Sequence, residues 1–306
     1  MPKPLRIVLH SLHEARPGVI MSRPSKVCKS PYVGDVQIGD QENTPMIHTP
    51  SLGCCGLVEK NSHVIITKID TTKKKPKIGD NGEIKPICEF RAELAFVKEG
   101  MRFQLVGVNP ALAEIIAENA LIANCVQGLT LRDPYSYSRQ TTFLNSRFDF
   151  SGTTKEGHEF ILEIKNVPLA DYVDVPKKER KKHTHFIESK AYNEKIAYFP
   201  DGYRKSGQEV VSPRALKHVE ELEKIKQTTN KRAILCFIIG RNDASSFQPS
   251  VIDPTYRKAV QKAWMNGVEI KTIQVKWTQS GKCYFVKNDL PINLFDKCGP
   301  QESNWV

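Results

Sequence analysis

Two patterns of apolar positions divide the chain. From Tyr32 to Val97, short apolar segments such as "SHVIITKID" alternate with polar turns, and this spacing is typical of the short strands of a small β-barrel. Farther along, runs of strand length such as "RAILCFIIG" alternate with segments of helical periodicity, which predicts a mixed α/β core. We therefore predict a barrel at residues 31–97 and an α/β domain at 98–298, between a flexible basic extension at 1–30 and a tail at 299–306.

Three helices are predicted in the α/β domain. "PALAEIIAENAL" has apolar residues at near-helical spacing after Pro110, where a missing amide proton does no harm. Ser212 followed by Pro213 predicts the start of a second helix, and Asp253 with Pro254 the start of a third. The predicted order is helix, hairpin, helix, strand, helix, strand. Residues 168–198 are polar and basic without a strong period, so we interpret them as an insertion.

The charge of the chain favours a polyanionic partner. The formal net charge is +11, and nucleic acid is the leading expectation for a strongly basic protein. Basic residues cluster in two runs, at 73–77 and at 177–182, although solvated loops account for such runs equally well. The oligomeric state stays open, with a homodimer among the options.

Targeting and cysteine signals are weak. No apolar run approaches the roughly eighteen residues of a membrane span, so we expect no membrane partner and an intracellular location, cytoplasmic or nuclear. The Lys- and Arg-rich residues 1–30 leave organelle targeting as an alternative to a plain extension.

The 8 cysteines contain no C-x-x-C pair, which predicts reduced thiols and no zinc site.

The segment "NSRFDFSGTTKEGHEFILEIKNV" carries the candidate chemistry. It predicts a hairpin whose turn lies near Glu156, with Asp149 opposite Glu163, although a slip of one residue would turn one carboxylate to the wrong face. Because side chains alternate along a strand, Glu163 and Lys165 share a face. Two carboxylates beside the Ile164 carbonyl suit Mg²⁺ or Mn²⁺, and the nearby lysine suits phosphodiester hydrolysis.

This trio resembles the motif of the PD-(D/E)XK phosphodiesterases. Asp149 and Glu163 are the predicted metal and catalytic carboxylates, Ile164 is a predicted metal ligand through its carbonyl, and Lys165 is the third catalytic residue. By itself the pattern is common, and a solvated strand end explains it too.

A longer resemblance supports the motif. Nine segments occur in the same order as in the sugar fermentation stimulation protein A family, which the chain resembles over most of its length: "IHTPSLG", "VGVNPALAEIIAENAL", "SRFDF", "EIKNVPLA", "YFPDG", "SPRALKHVEEL", "RAILCFIIGRNDASSFQP", "DPTYRKAVQKAWMNGVEI" and "LPINL". The resemblance implies an OB-like β-barrel followed by a PD-(D/E)XK, restriction-endonuclease-like domain of mixed α/β class. It also implies a DNA-binding protein, and bacterial members are linked to the regulation of sugar metabolism.

The resemblance also implies nucleic-acid contacts. The contact residues that it implies are Asp201, Arg214, Lys217 and His218, and Arg147 is a further predicted contact. The clustering of charge adds the basic run Lys177, Lys178, Arg180, Lys181 and Lys182. Three departures from the family pattern stand out: insertions at 168–198 and between Asp201 and Ser212, "SLG" in place of "NTG" at 51–53, and Glu114, Ile115 and Ile116 in place of "NRL". Glu114 or Glu118 is a further metal-carboxylate candidate, against the simpler interpretation of an exposed helix face.

Three functions stay open. The first is a Mg²⁺-dependent nuclease acting on DNA, or on RNA in its place. The second is a DNA-binding regulatory protein that uses this fold without turnover, and the third is an enzyme acting on another phosphorylated substrate.

Overall fold

The computed structural model describes residues 7–50, 56–72, 87–99, 102–176, 179, 182, 187–200 and 212–295. The first part of the chain supplies the strands β1 (Val8–Ser11), β2 (Arg16–Ser22), β3 (Val33–Gln37), β4 (Met46–His48), β5 (His63–Lys68), β6 (Phe90–Glu99) and β7 (Arg102–Gly107).

A closed barrel is built from β2 to β6. Strand β2 pairs with both β3 and β5, β3 continues to β4, β5 continues to β6, and β4 closes the ring in parallel against β6. This is the five-stranded Greek-key ring of an OB-like fold. Strand β7 pairs with β6 outside the ring, so it extends the barrel sheet toward the second domain.

The second part of the chain is a mixed α/β domain. Its elements are α1 (Pro110–Ile122), β8 (Tyr137–Phe143), β9 (Ser146–Thr153), β10 (Glu159–Val167), β11 (Lys195–Phe199), α2 (Pro213–Thr228), β12 (Arg232–Ile239), β13 (Ala244–Pro249), α3 (Pro254–Met265), β14 (Glu269–Trp277) and β15 (Lys282–Lys287). Seven of the described strands form one sheet in the order β1-β15-β14-β12-β10-β9-β8, and β11 pairs with β13 separately.

Both faces of the large sheet are covered. Phe160, Leu162 and Ile164 of β10 pack in the core that contains α1, whereas Ile161 and Val167 pack in the core that contains α2 and α3. The alternation predicted for this strand is therefore confirmed. The first core also includes apolar residues of the barrel strands β5 and β6 and of β7 beside them, so the barrel sheet is packed against the α1 face.

The helix boundaries follow the sequence closely. Asn109 caps α1 by accepting from the Ala111 N–H at 3.1 Å, and Asp253 caps α3 by accepting from the Tyr256 N–H at 2.9 Å. The chain leaves α3 at Gly267, whose φ of +89° suits glycine. Helix α2 starts after Ser212 as predicted, but the Ser212 side chain makes no capping hydrogen bond.

Two predicted boundaries are wrong. Residues 1–30 are not simply a flexible extension, because β1 pairs with β15 in the large sheet and β2 is a barrel strand. The division between residues 97 and 98 falls inside β6, and β7, which the sequence pattern assigned to the α/β domain, pairs with β6. The insertion at 168–198 contains most of the ordered strand β11. The tail at 299–306 and the basic run at 73–77 lie outside the described residues.

Candidate metal and phosphodiester site

The candidate site lies where two strands separate. Strands β9 and β10 are paired from Thr153↔Glu159 to Phe150↔Leu162. Continuing this register by one step sets Asp149 opposite Glu163, as the sequence predicted, but the ladder stops before them. The main-chain N–H of Ile164 instead donates to the Asp149 carboxylate, 2.7 Å from Oδ2. The hairpin therefore opens at the point where its polar residues begin.

Asp149 sits at an irregularity in its strand. In a regular strand Phe148 and Phe150 would face the same way, but here Phe148 packs in the core with α2 and Phe150 in the core with α1. The residue across the β8–β9 ladder, Gln140, has a left-handed φ of +52°, which is uncommon for a residue other than glycine. At Asp149, between the two phenylalanines, the regular alternation of side chains along β9 is therefore interrupted.

Gln140 is a site residue that sequence reasoning missed. Its side-chain amide donates to Glu114 Oε2 at 2.9 Å and, more weakly, to Asp149 Oδ1 at 3.4 Å. This contact brings the helix glutamate Glu114 to the site, whereas Glu118 bonds to Tyr137 and Arg139 instead. A glycine or asparagine at position 140 would have signalled the left-handed backbone, but glutamine gives no such signal.

Glu163 is the most deeply buried member of the cluster. It is 2% exposed, and its Oε1 accepts from Lys165 Nζ and is hydrogen-bonded to His218 Nδ1. Its other oxygen, Oε2, is buried with no hydrogen-bond partner among the described residues. A buried carboxylate oxygen without a partner is costly, and it is the kind of group that a cation would satisfy.

The two carboxylates have different electrostatic environments. Burial raises the pKa of Asp149 to about 7, and the charge of Glu163 adds to this effect while the Ile164 N–H opposes it. Burial also acts to raise the pKa of Glu163, but the hydrogen bond with His218 and the charge of Lys165 hold that pKa below its usual value. Asp149 therefore changes protonation near pH 7, whereas Glu163 is ionised at that pH.

The oxygen atoms fit a hard divalent cation. The Ile164 N–H points toward Asp149, and because the N–H and C=O of one strand residue point to the same side, its carbonyl lies on that open edge too. Asp149, Glu163 and this carbonyl form an oxygen donor set of the type that Mg²⁺ prefers. In the described part of the chain, no three side chains of His, Cys, Asp or Glu come together as a metal cluster, so water or substrate oxygens would complete the coordination.

A cavity of about 410 Å³ gives access to the site. Its lining includes Asp149, Glu163, Lys165, Glu114 and Arg214. Arg214 is exposed at the start of α2, a position compatible with its predicted contact to a phosphate.

The other predicted contact residues have different surroundings. Arg147 is exposed on β9, and Lys217 is exposed but donates to the Asn145 carbonyl at 2.7 Å. The predicted phosphate contact is wrong for His218, because it is buried against Glu163. Lys182 is exposed, whereas Lys177, Lys178, Arg180, Lys181 and Asp201 lie outside the described residues.

The fold and the site together define a class of protein: an OB-like barrel joined to a mixed α/β domain with two acids and a lysine at a diverging hairpin. The family model described as "Sugar fermentation stimulation protein RE domain" matches residues 111–281. The chain belongs to this sugar fermentation stimulation protein family.

Two curated relatives and one solved structure agree with this assignment. Sugar fermentation stimulation protein homologs from Brucella anthropi and Brucella ovis are each 32% identical, over 170 and 182 residues. These matches cover 54% and 58% of this chain and only 58% and 62% of the relatives' lengths. The structure of Pyrococcus furiosus SfsA in complex with Ca²⁺ matches 94% of this chain and 99% of that one, with a TM-score of 0.66 at 17% identity.

The helices give no sign of a membrane span. Within the ranges that the structure describes, none combines the length and the apolar character that a bilayer crossing needs.

Proposed function

We propose that this chain is a DNA-binding protein that hydrolyses phosphodiester bonds with the help of Mg²⁺ or Mn²⁺. One observation carries the proposal: Asp149, Glu163 and Lys165 converge where β9 and β10 separate, and a buried carboxylate oxygen there lacks a partner. The net charge of +11 supports a polyanionic substrate. The similar Pyrococcus protein is described in complex with Ca²⁺, a cation that also takes oxygen ligands.

Each residue has a role in this proposal. Asp149, Glu163 and the Ile164 carbonyl would hold the cation, which when bound would polarise the phosphoryl group and acidify a water. Lys165, on the same face as Glu163, would orient the attacking water and offset the negative charge that develops on phosphate oxygens. Arg214 at the cavity would hold a neighbouring phosphate. His218 would act only through Glu163, by fixing the orientation of its carboxylate.

The test is cleavage of labelled single- and double-stranded DNA with and without Mg²⁺. We expect cleavage that requires the cation and is lost in Asp149→Ala and in Lys165→Ala. Asp40→Ala, an exposed carboxylate in the barrel region, is the matched control and should cleave normally. Cation-independent cleavage, or cleavage that survives in Asp149→Ala, would refute a metal-dependent reaction at this site.

A second candidate is a DNA-binding regulator without turnover. The pairing of Glu163 Oε1 with both Lys165 and His218 favours it, because the lysine ammonium already offsets part of the carboxylate charge and the histidine occupies the same oxygen. This candidate predicts salt-sensitive DNA binding that is equal in wild type and Asp149→Ala, with no cleavage by either protein.

A further inference from the structure

A second and larger cavity lies between the barrel and the α/β domain. Its volume is about 840 Å³, twice that of the cavity at the candidate site. One wall comes from β6 and β7, and the other from the segment after β10 and from the ends of β12 and β14. We call this cavity the interdomain cleft.

Aromatic side chains line the interdomain cleft from both domains. Phe103 of β7 is 62% exposed, and Tyr192 on the opposite domain is 46% exposed. Phe96 supports Phe103 edge to face, with ring centroids 6.1 Å apart. Exposed aromatic rings of this kind are the platforms on which unpaired bases stack, since every base has a flat face.

The charge of the cleft is positive. Lys98 and Lys276 both line it, both are exposed, and neither forms an ion pair among the described residues. Lys98 lies directly across the β6–β7 ladder from Phe103, which sets a cation beside the exposed ring. The other cleft cations are neutralised, since Lys190 pairs with Glu188, Lys195 with Asp171 and Arg241 with Asp243. Two lysines therefore remain for an anionic backbone.

The interdomain cleft adjoins the candidate metal site. The chain that leaves β10 lines the smaller cavity at Pro168 and Leu169 and the cleft at Ala170 and Asp171. From Lys165 to Asp171 an extended chain spans at most about 20 Å, so a single strand of a few nucleotides would connect the two cavities.

We propose that the interdomain cleft binds a single-stranded segment of nucleic acid next to the site of cleavage, with bases stacked on Phe103 and Tyr192 and phosphates near Lys98 and Lys276. This inference rests on the proposed function and adds a substrate class to it: DNA with an unpaired strand, rather than blunt duplex. The interdomain cleft lies on the β6–β7 side of the barrel, and its second wall belongs to the α/β domain.

Fluorescence anisotropy with labelled oligothymidylate of about twenty nucleotides tests the inference. Phe103→Leu and Tyr192→Leu keep apolar volume but remove the ring, and each should weaken binding by about fivefold or more. The double variant Lys98→Gln with Lys276→Gln should lower the slope of log affinity against log salt by about 1.4. Tyr135→Leu is the matched control, because Tyr135 is highly exposed and lies outside the cleft, and its affinity should equal that of wild type.

The outcomes separate the two proposals. Circular dichroism first confirms that each variant is folded. If wild-type protein binds and cleaves DNA but the two ring variants bind oligothymidylate as tightly as Tyr135→Leu, the cleft inference is wrong and the proposed function stands. If the ring variants lose as much affinity for blunt duplex DNA as they lose for oligothymidylate, the single-strand assignment is wrong. If wild-type protein binds no nucleic acid at any salt concentration, both proposals are wrong.

Discussion

The main-chain N–H of Ile164 donates to Asp149 Oδ2 across the gap where β9 and β10 no longer pair. The Asp149 side chain thus accepts a hydrogen bond at the position where the backbone pairing of the two strands would have continued. The strands separate without leaving this amide unsatisfied, and the open edge keeps Asp149 within reach of Glu163. The opening of the hairpin and the position of its first carboxylate are therefore one structural feature.

The pKa of Asp149 predicts a pH-dependent stability in metal-free protein. The folded pKa is about 7, against an ordinary 3.8, so between these values the folded state binds more protons than the unfolded state. The free energy of unfolding should therefore fall as pH rises through this window, with a slope approaching 1.4 kcal/mol per pH unit (about one proton). Urea unfolding in a chelator, from pH 4 to pH 8, measures it.

Asp149→Asn should remove the part of the pH dependence of unfolding free energy that comes from Asp149. The variant should also be more stable than wild type at pH 8. The exposed-residue control Asp40→Asn should keep the wild-type slope. A slope that Asp149→Asn leaves unchanged would show that Asp149 titrates at an ordinary pKa.

His218 is predicted to stabilise the buried Glu163 carboxylate. His218→Ala removes one of two partners of Oε1, and loss of a hydrogen bond to a buried charge should lower the free energy of unfolding by about 2–4 kcal/mol. Urea unfolding at pH 7.5 without metal measures the loss, with His158→Ala, an exposed histidine, as the control. Because the charge is the cause, His218→Ala should cost less in a Glu163→Gln background, and an equal cost in both backgrounds would contradict this role.

Gln140 is predicted to position the metal carboxylates. Gln140→Gly keeps the left-handed backbone accessible and removes the amide that contacts Glu114 and Asp149. We expect little loss of stability but about a tenfold or greater loss of Mn²⁺ affinity, as is usual when a residue that orients metal ligands is removed. Calorimetric titration with Mn²⁺ measures the affinity. A variant that binds Mn²⁺ as tightly as wild type would reduce Gln140 to a structural residue.

Local patterns predicted the strands and helices around the candidate site well. The hairpin turn predicted in "SGTTKEG" is confirmed, and the observed pairs from Thr153↔Glu159 to Phe150↔Leu162 select one register where the sequence left a slip of one residue open. The alternation in "HEFILEIK" likewise gave the correct two faces of β10. The start and the end of α3 follow from Asp253, Pro254 and Gly267.

Long-range pairing was not predictable in the same way. The sequence pattern assigned the strand "RFQLVG" to the α/β domain, and only its ladder with β6 shows that it extends the barrel sheet. The short apolar run of β1 pairs with β15, more than 250 residues away, and no local pattern encodes such a partner. The role of His218 was misjudged for the same reason, since helical spacing alone did not reveal that it faces the sheet.

The strand β1 supplies a matched pair of stability variants. Leu9 is 2% exposed in the core beneath α1, whereas its neighbour Val8 is 50% exposed. Leu9→Ala should lower the free energy of unfolding by about 2–4 kcal/mol, and Val8→Ala by under about 1 kcal/mol. Urea unfolding compares them. Equal and small effects would mean that β1 is not part of the folded sheet in solution.

The placement of β1 makes the α/β domain discontinuous along the chain. Its edge strand precedes the whole barrel, while its remaining strands follow it. A protease cut between the two domains would leave that edge strand on the barrel fragment, and a fragment beginning at α1 would expose the free edge of β15 to pairing with other chains. In covalent terms the barrel is an insert within the α/β domain, because chain segments of that domain lie on both sides of it in the sequence.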